Sequence, residues 1–280
     1  MQPPSPARDD VVLPETRILA LFIIPFLVVA SILLYVWPND TEKTFAWTIK
    51  PSMTPMMLAA AYIGGIYFFA RVASAKQWHA IKVGFWPVTA FASFLGVATI
   101  LHWDKFNHSH ISFFAWTALY FTTPFLVLAV WFRNRRHDPS QATPGEIILP
   151  WFVRLVIGVV GGVTLLVSLV LFLLPSVMIS IWPWMLTPLT ARVLGAMFAL
   201  PGIVGLGIAL ERRWSAARII LQSQAFSILM ILIAAARAWN DFNHANLLTY
   251  LFVVGLIGLW MMIAALYVGM ELFKPGRRVA

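Results

Sequence analysis

The sequence predicts an all-α integral membrane protein with eight transmembrane helices, arranged as two tandem four-helix repeats related by a pseudo-twofold axis along the membrane normal. Three observations support this prediction. The 280-residue chain is 60% hydrophobic and 11% charged, outside the usual range of water-soluble domains. Its apolar residues form eight runs, each long enough to cross about 30 Å of hydrocarbon. One six-residue motif also occurs twice.

The apolar runs define the helices. They span approximately residues 18–37, 56–72, 83–101, 111–132, 150–174, 193–210, 219–236 and 247–268. Helices are expected because backbone amides find no water in hydrocarbon, and the alternation typical of outer-membrane strands does not occur. No run carries Asp, Glu, Lys, Arg or His near its middle, which argues against a proton pump.

The runs also organise the chain. The first repeat covers residues 18–132 and the second covers residues 150–272. The Pro-rich segment 1–17 is predicted to be a disordered cytoplasmic tail. Residues 133–149 form a cytoplasmic linker, and residues 273–280 form a basic cytoplasmic tail.

The basic residues predict the orientation. With the N-terminus in the cytoplasm, 15 of the 20 Lys and Arg residues fall on the inner side and 5 on the outer side. This bias predicts a multi-pass protein of the plasma (inner) membrane with both termini cytoplasmic. The net charge of +9 then faces lipid headgroups, so membrane lipids are expected partners and nucleic acid is not. The absence of Cys excludes disulfides and thiolate metal sites.

The repeated motif indicates a duplication. Its copies are Trp103-Asp104-Lys105-Phe106-Asn107-His108 and Trp239-Asn240-Asp241-Phe242-Asn243-His244, which share Trp, Phe, Asn and His at identical spacing. Asn and His each occur only six times in the chain, so chance is a poor explanation. Because each repeat has an even number of helices, both copies are predicted to face outward.

Further landmarks recur at nearly the same separation as the two motifs. These pairs are Trp78 with Trp214, Pro51 with Pro188, and Gly65 with Gly202. Trp37-Pro38 and Trp182-Pro183 are further apart, which predicts a first outer loop about nine residues longer than its counterpart. The matched Gly65 and Gly202 favour close helix packing through small residues; helix breaks that line a cavity are the alternative.

The outer loops hold the candidate functional residues. Those predicted to bind a ligand are Trp103, Asp104, Asn107, His108, Trp239, Asp241, Asn243 and His244. Those able to bind a divalent metal or haem b are His102, His108, His110 and His244. The two acids do not align between copies, which argues against a symmetric two-metal site. A structural interpretation is that Trp anchors at the water boundary and that Asn107, Ser109 or Asn243 caps the following helix.

Three functions fit these observations. The favoured one is a permease or ligand-binding protein for a small uncharged or amphipathic molecule with an outward-facing polar site. The first alternative is a membrane enzyme or cofactor protein that binds a metal or b-type haem, with Asp104 or Asp241 as acid or base. The second alternative is a non-catalytic subunit of a larger membrane complex. The sequence leaves open whether the protein is an enzyme.

Overall fold

The computed structural model describes residues 8–139 and 145–272. These parts of the chain are helical; their only β-structure is three isolated β-bridges. Ten α-helices occur in chain order: α1 (Pro14–Val36), α2 (Thr41–Thr44), α3 (Met53–Ser74), α4 (Phe85–Leu101), α5 (Ile111–Asn134), α6 (Trp151–Leu173), α7 (Pro175–Ile181), α8 (Pro188–Leu210), α9 (Trp214–Arg237) and α10 (Leu247–Leu272). Eight of them, all except α2 and α7, are long and apolar enough to cross a membrane. The prediction of a helical polytopic membrane protein is therefore confirmed.

Four helices form the centre of the bundle. Helix α3 packs against α9, α4 packs against α8, and α3 also touches α8. The other four long helices lie outside them: α1 packs on α3, α6 on α8, α5 on α4 and α10 on α9. The peripheral helices are consequently less buried, and α10 is the least buried of all.

The two matched glycines lie inside continuous helices, so the interpretation as helix breaks is wrong. A Cβ at Gly202 of α8 would lie 2.9 Å from the Cβ and backbone N of Leu165 in α6. A Cβ at Gly65 of α3 would meet only the Leu27 Cδ1 of α1, at 3.1 Å. Both glycines thus serve helix packing, which is the usual role of small residues between membrane helices.

The bundle has two distinct ends. One end, the motif face, carries the connections 37–52, 102–110, 174–187 and 238–246. The opposite end, the basic face, carries the connections 75–84 and 211–213 and the segment before α1. Both copies of the motif therefore lie at the same end of the bundle.

The segment before α1 is in contact with the bundle, which differs from the disordered tail predicted for residues 1–17. The Asp10 carbonyl accepts a hydrogen bond of 2.8 Å from the Trp78 N–H. Asn134 Oδ1 accepts a bond of 3.0 Å from the Leu13 N–H. Residues 1–7 lie outside the described residues, as do residues 140–144 of the predicted linker and the predicted tail 273–280.

Candidate functional site

The two motifs have the same backbone structure. In each, the Phe N–H bonds the Trp carbonyl at 3.2 Å, from Phe106 to Trp103 and from Phe242 to Trp239. The motif Asn then bonds a second loop: its N–H donates to the Ala46 carbonyl at 2.8 Å in the first copy and to the Pro183 carbonyl at 2.7 Å in the second. The same turn is therefore bonded to another loop of the motif face in both cases.

The aromatic contacts around the motifs also agree. Trp47 contacts Phe106 with ring centroids 5.0 Å apart, and Trp184 contacts Phe242 at 5.1 Å. Trp47 and Trp184 therefore make the same kind of contact with the Phe of the two motifs. Trp47 and Trp184 are 137 positions apart, whereas the two motifs are 136 positions apart. A separation of 137 therefore aligns α3 with α8. A separation of 136, the motif register, aligns α4 with α9 and α5 with α10.

The predicted pairing of Trp37-Pro38 with Trp182-Pro183 is wrong. Trp37 lies exposed at the end of α1, whereas Trp182 is buried and packs against Trp184 with ring centroids 5.4 Å apart. The two Trp-Pro dipeptides thus occupy different environments.

The motif Asn and His side chains mainly stabilise their own loops. The Asn107 Oδ1 accepts hydrogen bonds from the N–H and Oγ of the residue two positions on, and the Asn243 Oδ1 accepts one from the equivalent N–H. The His108 ring lies 5.2 Å from the first motif Trp, and the His244 ring lies 5.0 Å from the second. All four Asn and His side chains are exposed, and none of these contacts joins one motif to the other.

The caps of the following helices come from different residues than those predicted. His110 Nδ1 accepts the Ser112 N–H at the start of α5. Asn246 Oδ1 accepts the Leu248 N–H at the start of α10. The predicted caps Asn107, Ser109 and Asn243 lie too early in the loop to reach those amides, since the bonds of the two Asn side chains end at residues 109 and 245.

The two acids have unrelated environments, which accounts for their failure to align. Asp104 is exposed and pairs with Lys105 at 2.8 Å, and this hydrogen bond holds the pKa of the Asp104 carboxyl below its ordinary value. Asp241 Oδ2 instead accepts hydrogen bonds from the Ser52 Oγ at 2.6 Å and the Met53 N–H at 2.8 Å. Asp241 therefore caps α3, whose own Ser52 side chain makes no cap, and links the two halves of the chain.

The predicted metal ligands are dispersed. His102 Nε2 lies 2.7 Å from Arg192 Nη1 of α8, His110 caps α5, and His108 and His244 stack on separate Trp rings. Within residues 8–139 and 145–272, no group of three His, Asp or Glu side chains could hold a metal ion. Metal or haem binding by these residues stays a prediction.

A groove between α1 and α5 has the features of a ligand site. It measures about 390 Å³, and its walls are formed mainly by apolar side chains of the two helices, among them Pro25, Phe26, Leu33, Ala115 and Leu119. Val29 and Ile111, which also line it, are exposed, so the groove opens at the outer surface of the bundle. His110 and Ser112 line it at the motif face.

Two tyrosines line the inner part of this groove. The hydroxyls of Tyr62 in α3 and Tyr120 in α5 lie 2.6 Å apart, and both residues are buried, with 3% and 4% of their surfaces exposed. Trp116 packs on Tyr120 with centroids 4.3 Å apart, while its Nε1–H is bound to Thr99 Oγ1. Sequence reasoning missed this pair because Tyr residues within apolar runs resemble ordinary membrane packing.

The basic face holds a polar network that sequence reasoning also missed. Asp10 accepts a hydrogen bond from the His79 N–H and pairs with His79 Nδ1, while His79 Nε2 lies 2.9 Å from Ser215 Oγ. Glu146 in turn accepts the Ser215 N–H at 3.2 Å. The sequence does contain one signal of this network, a recurring spacing. Asp10 lies 69 residues before His79, and Glu146 lies 69 residues before Ser215, and each acid accepts the backbone N–H of that later residue.

Beside that network, four buried or partly buried charges form a cluster. Lys82 lies 2.7 Å from both Asp138 and Glu211, and Arg213 pairs with the same two acids. Burial opposes ionisation of Glu211, but hydrogen bonds from Arg213 and Lys82 outweigh it and lower the pKa of this carboxyl to about 2. The cluster holds the connection after α8 against the segment that follows α5.

Comparison with protein-family models, curated proteins and solved structures finds no match for this chain.

Proposed function

We propose that this polytopic membrane protein binds a small, uncharged or amphipathic molecule in the groove between α1 and α5. The observation that carries the proposal is the buried Tyr62–Tyr120 hydroxyl pair at the inner end of a groove with largely apolar walls. The motif residues then have a supporting role, since they shape the loops above the groove. His110, one of the predicted outer-loop residues, lines the groove itself.

The hydroxyl pair supplies a hydrogen-bond donor. Two hydroxyls carry two protons, and the single bond between Tyr62 and Tyr120 uses one of them. No other described residue accepts a hydrogen bond from either hydroxyl. A buried donor without an acceptor costs about 1–3 kcal/mol, so an acceptor atom of a ligand would be favourably placed beside it.

The walls define the class of ligand. Apolar side chains from α1 and α5 favour a molecule that partitions into the bilayer, and the opening between two peripheral helices gives access from the lipid. No Asp, Glu, Lys or Arg among the described residues lines the groove, so a charged ligand would find no counter-ion there. A carbonyl group on a largely apolar body matches both the donor and the walls.

Photolabelling with a benzophenone that carries an alkyl chain tests the proposal, because this probe combines a carbonyl acceptor with an apolar body. We expect crosslinks in α1 and α5 of the wild-type protein, and at least a fivefold loss of these crosslinks in the Tyr62→Phe/Tyr120→Phe double variant. Tyr267→Phe is the matched control, since its hydroxyl is bound to Gln222 in the other half. Equal labelling of the double variant, in protein of normal folded yield, would contradict the proposal.

The proposal includes an origin by duplication, with a pseudo-twofold axis along the membrane normal. It is supported by the hydrogen bonds and ring contacts that recur at equivalent positions of the two motif loops. The pairing of α3 with α9 and of α8 with α4 has the reciprocal form that such an axis requires. The contact between His79 and Ser215, which correspond to each other in the motif register, suggests that the axis passes between them.

We also propose that the protein lies in the inner membrane with the basic face in the cytoplasm. The excess of Lys and Arg at this face supports that orientation through the positive-inside rule. Membrane lipids are then direct partners of the peripheral helices.

A second function, as a subunit of a larger membrane complex, is supported by α10. Only three residues of this helix are buried, whereas α5 buries eight. A helix with so little intramolecular packing offers a surface for another membrane protein. Stoichiometric co-purification of a second chain, lost on replacing exposed α10 residues such as Val254 and Met261, would favour this function.

A further inference from the structure

We infer that Arg192 and His102 form a binding site for an oxyanion, a phosphate or carboxylate group, at the motif face. This site is separate from the groove between α1 and α5. Arg192 lies near the start of α8 and His102 lies just after α4. The two side chains meet where these helices pack together, with Nη1 of Arg192 2.7 Å from Nε2 of His102.

The Arg192 guanidinium is incompletely paired. Among the described residues, its only hydrogen-bond partner is the His102 imidazole, and it forms no salt bridge. Its Nε is buried without any partner. The free Nε and Nη2 groups form the planar edge of the guanidinium that binds two oxygens of one carboxylate or phosphate.

The imidazole partner cannot neutralise this charge. Burial lowers the pKa of His102, and the nearby Arg192 charge lowers it further, which favours the neutral ring. Asp104, two residues after His102, is paired with Lys105 at 2.8 Å. Arg213, the buried arginine at the basic face, differs because it contacts two acids of the charge cluster.

The related contact in the other half shows that the fold does not need this pair. In the motif register, His102 corresponds to Ala238, and in the register of α3 with α8, Arg192 corresponds to Pro55. Both counterparts are buried: Ala238 directly follows α9 and Pro55 lies in α3, two helices that pack together. A charged guanidinium and a polar imidazole, where the counterparts Pro55 and Ala238 are apolar, require an explanation other than packing.

The surroundings of the site suit an amphipathic anion as well as a soluble one. Leu101 and Trp103 flank His102, and 55% and 45% of their surfaces are exposed. An acyl chain could lie against these side chains while its phosphate contacts Arg192. A soluble phosphate or carboxylate would use the same guanidinium edge without the apolar contact.

The experiment measures binding to purified full-length protein in a neutral detergent at constant ionic strength. One arm titrates inorganic phosphate and acetate by isothermal calorimetry. The other reconstitutes the protein in phosphatidylcholine nanodiscs with or without phosphatidylglycerol and measures the lipid retained by native mass spectrometry. Arg192→Gln removes the charge but keeps a donor for His102, and Arg237→Gln is the control at the same face.

We expect at least tenfold weaker binding in Arg192→Gln and unchanged binding in Arg237→Gln. Binding of phosphatidylglycerol alone would assign the site to a lipid headgroup, and binding of free phosphate or acetate would assign it to a soluble anion. Binding of neither source by the wild-type protein would overturn the inference, and this result does not depend on the folding of any variant. Equal affinity of folded Arg192→Gln would overturn it as well.

Discussion

The loops after α4 and α9 make almost the same contacts, whereas the polar groups in the neighbouring helices differ between the halves. The two motif Asn residues bond equivalent carbonyls at 2.8 and 2.7 Å. The positions that correspond to Tyr62 and Tyr120 carry instead Ala199 and Leu256. The comparison teaches that the recurring residues build the scaffold, and that specialised chemistry is expected where the halves differ.

The largest expected effect concerns the orientation of the two halves in the membrane. The chain has no Cys, so single cysteines introduced at Ser109 and Ala245 report on the two exposed motif loops. In intact cells, we expect an impermeant maleimide to label both sites to the same extent and to leave a cysteine at the exposed Arg136 unlabelled. Labelling of only one motif loop would contradict the placement of both motifs on the same side of the membrane. Labelling of Arg136→Cys alone would show that the basic face, not the motif face, lies outside.

The next largest effect concerns the matched glycines. Gly202→Ala places a methyl group 2.9 Å from the Leu165 backbone, which cannot move without shifting α6. We expect a loss of about 1–3 kcal/mol in the free energy of unfolding. Gly65→Ala meets only the end of the flexible Leu27 side chain, and we expect a change within about 0.5 kcal/mol. Thermal and denaturant unfolding in detergent measures both; equal losses would contradict the difference in packing.

A smaller effect separates the two acids. Asp241→Ala removes the acceptor for the Ser52 hydroxyl and the Met53 N–H, so we expect a loss of about 1 kcal/mol, typical of a missing N-cap. Asp104→Ala should leave the unfolding temperature unchanged, because its ion pair with Lys105 is solvent-exposed. Asp241→Asn retains an acceptor and should recover part of the loss. A larger effect at Asp104 than at Asp241 would contradict these assignments.

The smallest effect is a pH dependence at the basic face. The folded pKa of Glu211 is about 2, below its ordinary value of 4.5, so its contribution to stability is present above pH 4.5 and is lost as the pH falls towards 2. The corresponding position in the first half carries Ala75, which cannot titrate. We expect the difference in unfolding temperature between wild type and Glu211→Gln to shrink over this range. A constant difference would show that Glu211 acts through packing alone.

The helices could be predicted from the sequence because hydrophobic length determines them. The predicted run 247–268 corresponds to α10 at Leu247–Leu272, and the run 111–132 corresponds to α5 at Ile111–Asn134. The predicted difference of about nine residues between the loops after α1 and α6 is wrong, because the two Trp-Pro dipeptides resemble each other only in composition. The hydrogen bonds from the motif Asn residues to Ala46 and Pro183 indicate which loop residues take similar places, and these bonds form only once the chain is folded.

The candidate sites were much harder to predict, because they join residues that are far apart in the sequence. Tyr62 and Tyr120 are 58 residues apart, and His102 and Arg192 are 90 residues apart. The motif drew attention through its polar side chains, but both of its Asn residues use them to close their own turns. The sequence predicts metal chemistry for His102 and His110, whereas one contacts a guanidinium and the other caps a helix.

The contact between His79 and Ser215 bears on how such a protein could diversify. In a homodimer, a residue on the symmetry axis meets an identical copy of itself, so two imidazoles or two hydroxyls would face each other. Under the duplication proposed above, gene fusion would let the two positions mutate independently, so that an imidazole could acquire a hydroxyl partner. Fusion also makes association of the halves independent of protein concentration, which leaves either half free to change its lipid-facing surface.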